Sequence, residues 1–143
     1  MRKEVSKRIL VLCTGNSCRS QMAEGFIKYL KPEWKVFSAG IEPATAVSRR
    51  SIRVMQEIGI DISQNKPKHI DKFLMQSFDY VITVCDHANE ACPVFIGKVK
   101  KRMHLGFRDP TKMTGEPEEV LLEFRRVRDD MNKQLKEFVR SAA

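Results

Sequence analysis

The chain has 143 residues, of which 42% are hydrophobic, and its formal net charge at pH 7 is +8. This length and apolar content predict one domain, residues 1–143, with a substantial core. The first apolar run, Ile9–Cys13, is too short for a secretory segment, and no run is long enough to cross a bilayer. We therefore expect a cytoplasmic protein that binds no membrane. Its basic residues lack interleaved aromatic residues, so we also expect no nucleic acid partner.

Short aliphatic runs are the predicted strands: Arg8–Leu12, Lys35–Phe37, Tyr80–Val84 and, more weakly, Arg102–Leu105. The first and third runs are apolar without alternation, which is typical of parallel strands that are buried on both faces.

Helical patterns separate these runs. The first has an apolar stripe over residues 22–30 and is closed by Pro32. The second has Ser48 as N-cap and a stop at Gly59, and the last has Pro117 as its first residue and apolar residues at helical spacing as far as Phe138. Strands that alternate with helices predict an α/β fold, in which a parallel sheet is covered by helices on both faces. The ligand site of such a fold lies at the carboxyl ends of its strands.

Cys13 ends the first predicted strand, at the place where open α/β sheets bind ligands. Gly15, Asn16 and Ser17 can turn the chain so that successive N–H groups point inward above a helix N-terminus. Arg19 adds a planar guanidinium that matches a tetrahedral oxyanion. All these groups favour thiolate over thiol. The segment predicts a nucleophile in an oxyanion cradle, and the alternative is that Cys13 is only a small buried residue.

Other ligand motifs are missing. The segment lacks the Gly-Lys-Ser/Thr ending of a nucleotide-binding loop. A count of four cysteines in a cytoplasmic chain indicates thiol chemistry or metal binding rather than structural disulfides. We predict no metal site, because neither the cysteines nor the histidines have the spacing of metal ligands: Cys13 and Cys18, Cys85 and Cys92, His69, His87 and His104.

The segment CTGNSCRS at 13–20 resembles the signature of the low-molecular-weight protein tyrosine phosphatases and of the arsenate reductases that share their fold. Other segments are similar to the thioredoxin-coupled arsenate reductases: SAGIE at 38–42, TVCDHANEACP at 83–93, GFRDP at 106–110 and FRRVRDDM at 124–131. The resemblance implies a three-layer α/β sandwich with a four-stranded parallel sheet of strand order 2-1-3-4. A low-molecular-weight protein tyrosine phosphatase is the alternative function.

The resemblance also implies a relay of thiols. Cys13 attacks arsenate and Asp109 protonates the leaving water; Cys85 then attacks Cys13 and releases arsenite, and Cys92 attacks Cys85. Thioredoxin reduces the resulting Cys85–Cys92 disulfide, no tightly bound cofactor is needed, and we expect a monomer. Phosphate and sulfate would compete with arsenate for the cradle, whose implied residues are Thr14, Gly15, Asn16, Ser17, Cys18, Arg19 and Ser20.

The spacing of Cys85 and Cys92 raises a question of geometry. Cys85 follows the third predicted strand, so in a parallel sheet it emerges at the same edge as Cys13. If residues 86–91 were helical, the α-carbons of the two cysteines would lie about 10.5 Å apart. A disulfide needs about 5.5 Å. The segment would then have to unwind during catalysis.

Several side chains keep two interpretations. Asp109, which precedes Pro110, is either the acid or only the cap of a turn. Arg108 either weakens Asp109 as an acid or adds positive charge near the substrate. Thr111 stands where the phosphatases usually have an aromatic residue, which disfavours a phosphotyrosine pocket.

Three further roles are expected around the cradle. Asn16 and Ser17, by the resemblance, shape the loop and hydrogen-bond the Cys13 sulfur. Cys18 has a packing or helper role rather than an obligatory role in electron transfer. His87 could modestly acidify a neighbouring thiol.

Overall fold

The computed structural model describes residues 6–86 and 90–142. In chain order they form β1 (Arg8–Cys13), α1 (Arg19–Leu30), β2 (Lys35–Gly40), α2 (Arg49–Gln56), β3 (Ser77–Thr83), β4 (Lys98–His104) and α3 (Pro117–Ala142). The strands pair in parallel in the order β2-β1-β3-β4. The predicted fold class and strand order are therefore confirmed.

Strand β1 lies in the middle of the sheet and is buried on both faces. Ile9 and Val11 pack in a cluster with the buried faces of α1, α2 and α3. Leu10 and Leu12 pack on the other face, in a cluster that includes residues of the 3-10 turn Ile70–Phe73. Among the described residues, the helical cover of this second face is thus a short 3-10 turn rather than an α-helix. A strand between two such layers needs apolar residues at every position, which explains the absence of alternation.

All four strands are longer than their sequence patterns predict: β1 by one residue, β3, which begins at Ser77 rather than Tyr80, by two, and β2 and β4 by three each. Strand β2 continues past Phe37 because Ser38 and Gly40 pair with Val11 and Cys13 of β1. Strand β4 begins at Lys98 rather than Arg102, and its first half is rich in exposed lysines. Lysines on an edge strand oppose pairing with another chain, so this half carries no apolar signal.

The helix signals are confirmed, although α2 ends at Gln56, before Gly59, and α3 continues past Phe138 to Ala142. The hydroxyl of Ser48 caps α2 by accepting a hydrogen bond from Ser51 N at 3.3 Å. Helix α3 begins at Pro117 as predicted. Helix α1 begins at Arg19, three residues before the predicted apolar stripe, so the cradle arginine lies in its first turn. No helix in residues 6–86 and 90–142 is long and apolar enough to span a membrane.

The parallel register brings the ends of β1, β3 and β4 to one edge of the sheet. Val84 N donates to Leu12 O at 3.0 Å, which extends the pairing of β3 with β1 by one residue. Phe107 N donates to Val84 O at 3.2 Å, so the chain after β4 follows the same edge. Cys85 comes directly after Val84 and therefore lies at the same edge as Cys13, as predicted.

Gly40 ends β2 at a point where the backbone of the cradle loop passes very close. A Cβ atom at this position would lie 2.4 Å from the carbonyl oxygen of Thr14 and 3.0 Å from the amide nitrogen of Asn16. Both atoms belong to the backbone and cannot rotate away. Only glycine allows β2 to support the loop at this distance.

We predict that Gly40→Ala destabilises the protein by about 1–3 kcal/mol, because the loop must move to accommodate the methyl group. The same displacement should weaken the binding of a tetrahedral oxyanion such as phosphate. Urea unfolding and calorimetric titration with phosphate measure the two effects. Gly59→Ala is the matched control: Gly59 has a φ of +82° and nothing within 4 Å, so alanine there should cost stability but leave phosphate affinity unchanged. Unchanged phosphate affinity in Gly40→Ala would contradict this role.

Candidate active site

The loop between β1 and α1 is held by hydrogen bonds through its carbonyl groups. The carbonyl oxygens of Thr14, Gly15 and Ser17 accept from backbone N–H groups in the segment 42–48, at 2.8 to 3.0 Å. Within the described ranges, no acceptor takes the N–H groups of residues 15–18. These amides are therefore available to an anion, as the sequence predicts.

Asn16 supports the loop from behind. It is fully buried and has a φ of 50°, a left-handed conformation that asparagine tolerates better than most residues. Its Oδ1 accepts from Lys68 N at 2.8 Å, and its Nδ2 donates to Ser20 Oγ at 2.8 Å. Asn16 thus fixes the loop to the segment before the first 3-10 turn.

The sulfur of Cys13 is buried and its hydrogen-bond partner is Ser20, whose Oγ lies 2.8 Å from Sγ. The expectation that Asn16 and Ser17 bond this sulfur is wrong: neither does so in the structure, and Asn16 reaches the sulfur only through Ser20. The reason is the first turn of α1, which carries the Ser20 hydroxyl to the end of β1. Since Asn16 donates to Ser20 Oγ, the hydroxyl hydrogen of Ser20 is available to the sulfur.

The guanidinium of Arg19 is buried at the bottom of the cleft, with 4% of the residue exposed. It donates to Phe107 O at 3.1 Å and to the carboxylate of Glu90, and its Nη2 lies 3.5 Å from Asp109 Oδ2. Burial opposes the charged form, but the bonds to Glu90 and the charge of Asp109 outweigh burial and raise the pKa of Arg19. The Arg19 side chain therefore keeps its full positive charge.

Asp109 caps a turn, which is one of its two predicted interpretations, and it also faces the cleft. Its Oδ1 caps the short 3-10 turn Pro110–Lys112, accepting from Thr111 N at 3.0 Å and from the Thr111 hydroxyl at 2.6 Å. Its Oδ2 faces Arg19 across the cleft. Arg108 is paired elsewhere, because its guanidinium donates to Glu123 at 3.0 and 3.1 Å. Arg19, rather than Arg108, is the cation beside Asp109.

Cys85 and Cys92 are joined in a disulfide with their α-carbons 5.9 Å apart. The α-carbon separation of about 10.5 Å that a helical segment would impose therefore does not apply to the disulfide state. Cys85 is fully buried, whereas Cys92 is partly exposed. Cys13 is a free thiol. His87, which was expected to influence a neighbouring thiol, lies outside the described residues.

Cys18 is a free, buried thiol that points into the helical layer. Burial raises its pKa to about 12, although the Ser51 hydroxyl, 3.0 Å from its sulfur, acts in the opposite direction. A thiol with this pKa is neutral at physiological pH and is a poor nucleophile. This environment supports the expected packing role.

These residues enclose a cleft of about 480 Å³ at the carboxyl edge of the sheet. Of the predicted set, Cys13, Thr14, Gly15, Ser17, Cys18, Arg19 and Asp109 line it, while Asn16 and Ser20 lie behind the loop. Sequence reasoning missed five lining residues, Ile41, Glu42, Glu90, Ala91 and Lys112. Glu90 had a signal, since it is a carboxylate between two predicted reactive cysteines. No group of three metal-binding side chains occurs in the part of the chain that the structure describes.

We predict that Ser20→Ala slows alkylation of Cys13 by iodoacetamide at pH 7 roughly tenfold or more, because a hydrogen bond to a charged sulfur is lost. The alkylation rate, followed by mass spectrometry of the Cys13 peptide, measures this effect. Ser51→Ala removes the equivalent hydroxyl from Cys18 and should leave the Cys13 rate unchanged. Equal rates in wild type and Ser20→Ala would contradict the assignment.

Comparison with known proteins identifies the family. A model described as low molecular weight phosphotyrosine protein phosphatase matches residues 8–143. An arsenate reductase of Halalkalibacterium halodurans is 52% identical over 133 residues, which cover 92% of this chain and 94% of that protein. A solved arsenate reductase in the reduced state superposes with a TM-score of 0.77 at 30% identity, covering 96% of this chain and 99% of its own. An arsenate reductase in the phosphate binding state superposes with a TM-score of 0.75 at 29% identity, with the same coverage of both chains. The chain therefore belongs to the low molecular weight phosphotyrosine protein phosphatase family and, within it, to the arsenate reductases.

Proposed function

We propose that this protein reduces arsenate to arsenite through Cys13, Cys85 and Cys92, and that thioredoxin returns it to the reduced state. One observation carries the proposal: a disulfide between Cys85 and Cys92 lies beside an anion cradle that contains the free thiol of Cys13. Phosphate ester hydrolysis needs only one thiol, an acid and the cradle. The additional pair of cysteines supplies the two electrons that arsenate reduction requires.

In the first step, Cys13 attacks arsenic and forms a sulfur–arsenic bond. The amides of residues 15–18 and the Arg19 guanidinium hold the arsenate oxygens. An arsenate reductase solved in a phosphate binding state supports the binding of an oxyanion. Ser20 stabilises the attacking thiolate. Asp109, across the cleft from Arg19, gives a proton to the departing oxygen, which leaves as water.

In the second step, the thiolate of Cys85 attacks the sulfur of Cys13. The sulfur–arsenic bond breaks and its electron pair stays on arsenic, so arsenic is reduced and arsenite leaves while the two thiols are oxidised to a disulfide. The positions of the residues support this attack. Val84 is hydrogen-bonded to Leu12, and neighbouring strands lie about 4.8 Å apart, so Cys85 emerges next to Cys13.

In the third step, Cys92 attacks the sulfur of Cys85, and Cys13 leaves as a thiolate. The product of this exchange is the Cys85–Cys92 disulfide that the structure contains. Thioredoxin then attacks this disulfide. Because Cys85 is buried and Cys92 is partly exposed, the sulfur of Cys92 is the accessible target and Cys85 is the leaving thiolate.

An apolar groove beside Cys92 supports the docking of thioredoxin. Its lining includes Val81, Phe95 and Met103, and Val94 on its rim is 73% exposed. Exposed apolar residues next to a reactive disulfide are suited to a transient partner. The monomeric state, the single domain and the cytoplasmic location that the sequence indicates stay predictions.

We predict that Cys92→Ser releases about one arsenite per protein molecule and then stops, because the Cys13–Cys85 disulfide has no thiol to resolve it. Coupled NADPH oxidation with thioredoxin and its reductase measures turnover, and peptide mapping identifies the trapped disulfide. Hydrolysis of para-nitrophenyl phosphate by the same variant is the control for an intact cradle. Sustained arsenate turnover by Cys92→Ser would refute the relay.

We also predict that Val94→Asp raises the KM for thioredoxin roughly tenfold, because a charge in an apolar contact must be desolvated. The amount of arsenite released before the first reduction should not change, since that reaction needs no partner. Met75→Asp is the matched control: Met75 is 98% exposed but precedes the amino end of β3, at the opposite edge of the sheet. A similar rise in KM for both variants would argue against docking at the groove.

A further inference from the structure

Glu90, which lies between the two cysteines of the disulfide, places its carboxylate in the anion cradle. Its oxygens accept from both terminal nitrogens of Arg19, with Nη2 at 2.8 Å. They also accept from the Thr14 hydroxyl at 2.9 Å and from Asp86 N at 2.8 Å. Only 12% of the Glu90 side chain is exposed. The carboxylate is thus held by a bidentate guanidinium and two further donors.

These contacts are chemically those of a bound oxyanion. The planar fork of Arg19 that would hold two oxygens of arsenate or phosphate is occupied by two oxygens of Glu90. Burial by itself would favour the neutral acid. The hydrogen bonds from Arg19, Asp86 and Thr14 outweigh burial and lower the pKa of Glu90 to about 2. Glu90 is therefore an anion at any pH at which the enzyme works.

We propose that Glu90 is an internal anion that occupies the cradle while Cys85 and Cys92 are joined, so that the oxidised protein excludes arsenate and phosphate. Reduction of the disulfide releases the segment, and the carboxylate leaves Arg19 to the substrate. This role rests on the proposed function, because it assigns a purpose to the disulfide state of the relay.

The disulfide links the position of Glu90 to the redox state through the path of the chain. Cys85 is buried at the end of β3, and the bond holds the α-carbon of Cys92 within 5.9 Å of it. Glu90 is two residues from Cys92, so the closed loop keeps its carboxylate at a high local concentration beside the cradle. Ala91 adds a contact, since its carbonyl accepts from the Thr14 hydroxyl at 3.3 Å. Opening the bond restores chain freedom and makes the same contact cost more entropy.

The exclusion has a chemical advantage in the relay. In the disulfide state, Cys13 is again a free thiol, but Cys85 has no thiol with which to resolve a new arsenic adduct. Arsenate that bound at this stage would be held on Cys13 until thioredoxin acted. A carboxylate in the cradle keeps Arg19 paired and delays binding until Cys85 is reduced.

The test is calorimetric titration of phosphate into reduced and oxidised protein, with the Cys85–Cys92 bond of the oxidised form verified by peptide mapping. If Glu90 occupies the cradle about 90% of the time, the oxidised wild type should bind phosphate about tenfold more weakly than the reduced form. Glu90→Gln, which keeps the shape of the side chain but removes its charge, should reduce this difference to less than about twofold. Equal affinities of the reduced wild type and reduced Glu90→Gln verify that the variant folds.

Glu137→Gln is the matched control for net charge. Glu137 is exposed on α3 beside Phe138, which packs against Trp34 and Tyr80 away from the cleft. Glu137→Gln should keep the full difference in phosphate affinity between the oxidised and reduced forms.

The remaining outcomes separate the two proposals. An oxidised wild type that binds phosphate as tightly as the reduced form overturns the role of Glu90 and leaves the relay intact. An oxidised Glu90→Gln that binds as weakly as the oxidised wild type shows that another group closes the cradle, and also overturns it. A reduced wild type that does not bind phosphate contradicts both the oxyanion cradle and its occupation by Glu90.

Discussion

The guanidinium of Arg19 is a buried positive charge, and the cleft is organised around its need for an anionic partner. A buried charge without a partner is costly, so a site built on one is stable only when an anion is present. In this structure the partners are the carboxylates of Glu90 and Asp109. In the proposed mechanism, a substrate oxyanion replaces the carboxylate of Glu90 and faces that of Asp109. The same interaction then connects substrate binding, proton donation and the state of the disulfide.

The rigidity of the loop above Arg19 comes from residues that do not touch the cleft. Asn16 lies behind the loop and joins it to Lys68 and Ser20. Gly40, the last residue of β2, has no side chain and therefore lies closer to the backbone of Thr14 and Asn16 than any other residue could. These contacts set the directions of the loop amides before an anion arrives. Preorganisation of this kind avoids the cost of ordering the donors during the reaction.

The cysteines differ in their surroundings, and these differences match an ordered relay. Cys13 has a hydroxyl donor and a nearby cation, whereas Cys18 is buried in the helical layer, which raises its pKa to about 12. Cys85 is buried at the edge of the sheet where Cys13 lies, and Cys92 is partly exposed beside an apolar groove. Electrons that enter at Cys92 can thus reach Cys13 through Cys85 without the cradle being open to a large partner.

Local sequence patterns determined the architecture of this protein. Apolar runs without alternation specified β1 and β3, and the signals at Ser48 and Pro117 specified where α2 and α3 begin. The order of the strands, the choice of Cys13 as candidate nucleophile and the position of Cys85 at the same edge of the sheet followed from the resemblance and from the geometry of parallel sheets. Edge residues gave weaker signals, since the lysine-rich half of β4 needs no apolar face.

Only the tertiary structure decided which side chains meet in the cleft. Ser20, rather than Ser17, is hydrogen-bonded to the Cys13 sulfur. The guanidinium of Arg108 pairs with Glu123, and that of Arg19 pairs with Glu90. The last two contacts join residues that are 15 and 71 positions apart in the chain. Contacts of this kind depend on the paths of loops and on the first turn of a helix. Periodicity reports which face of an element is buried, but it contains no information about where two separate loops converge.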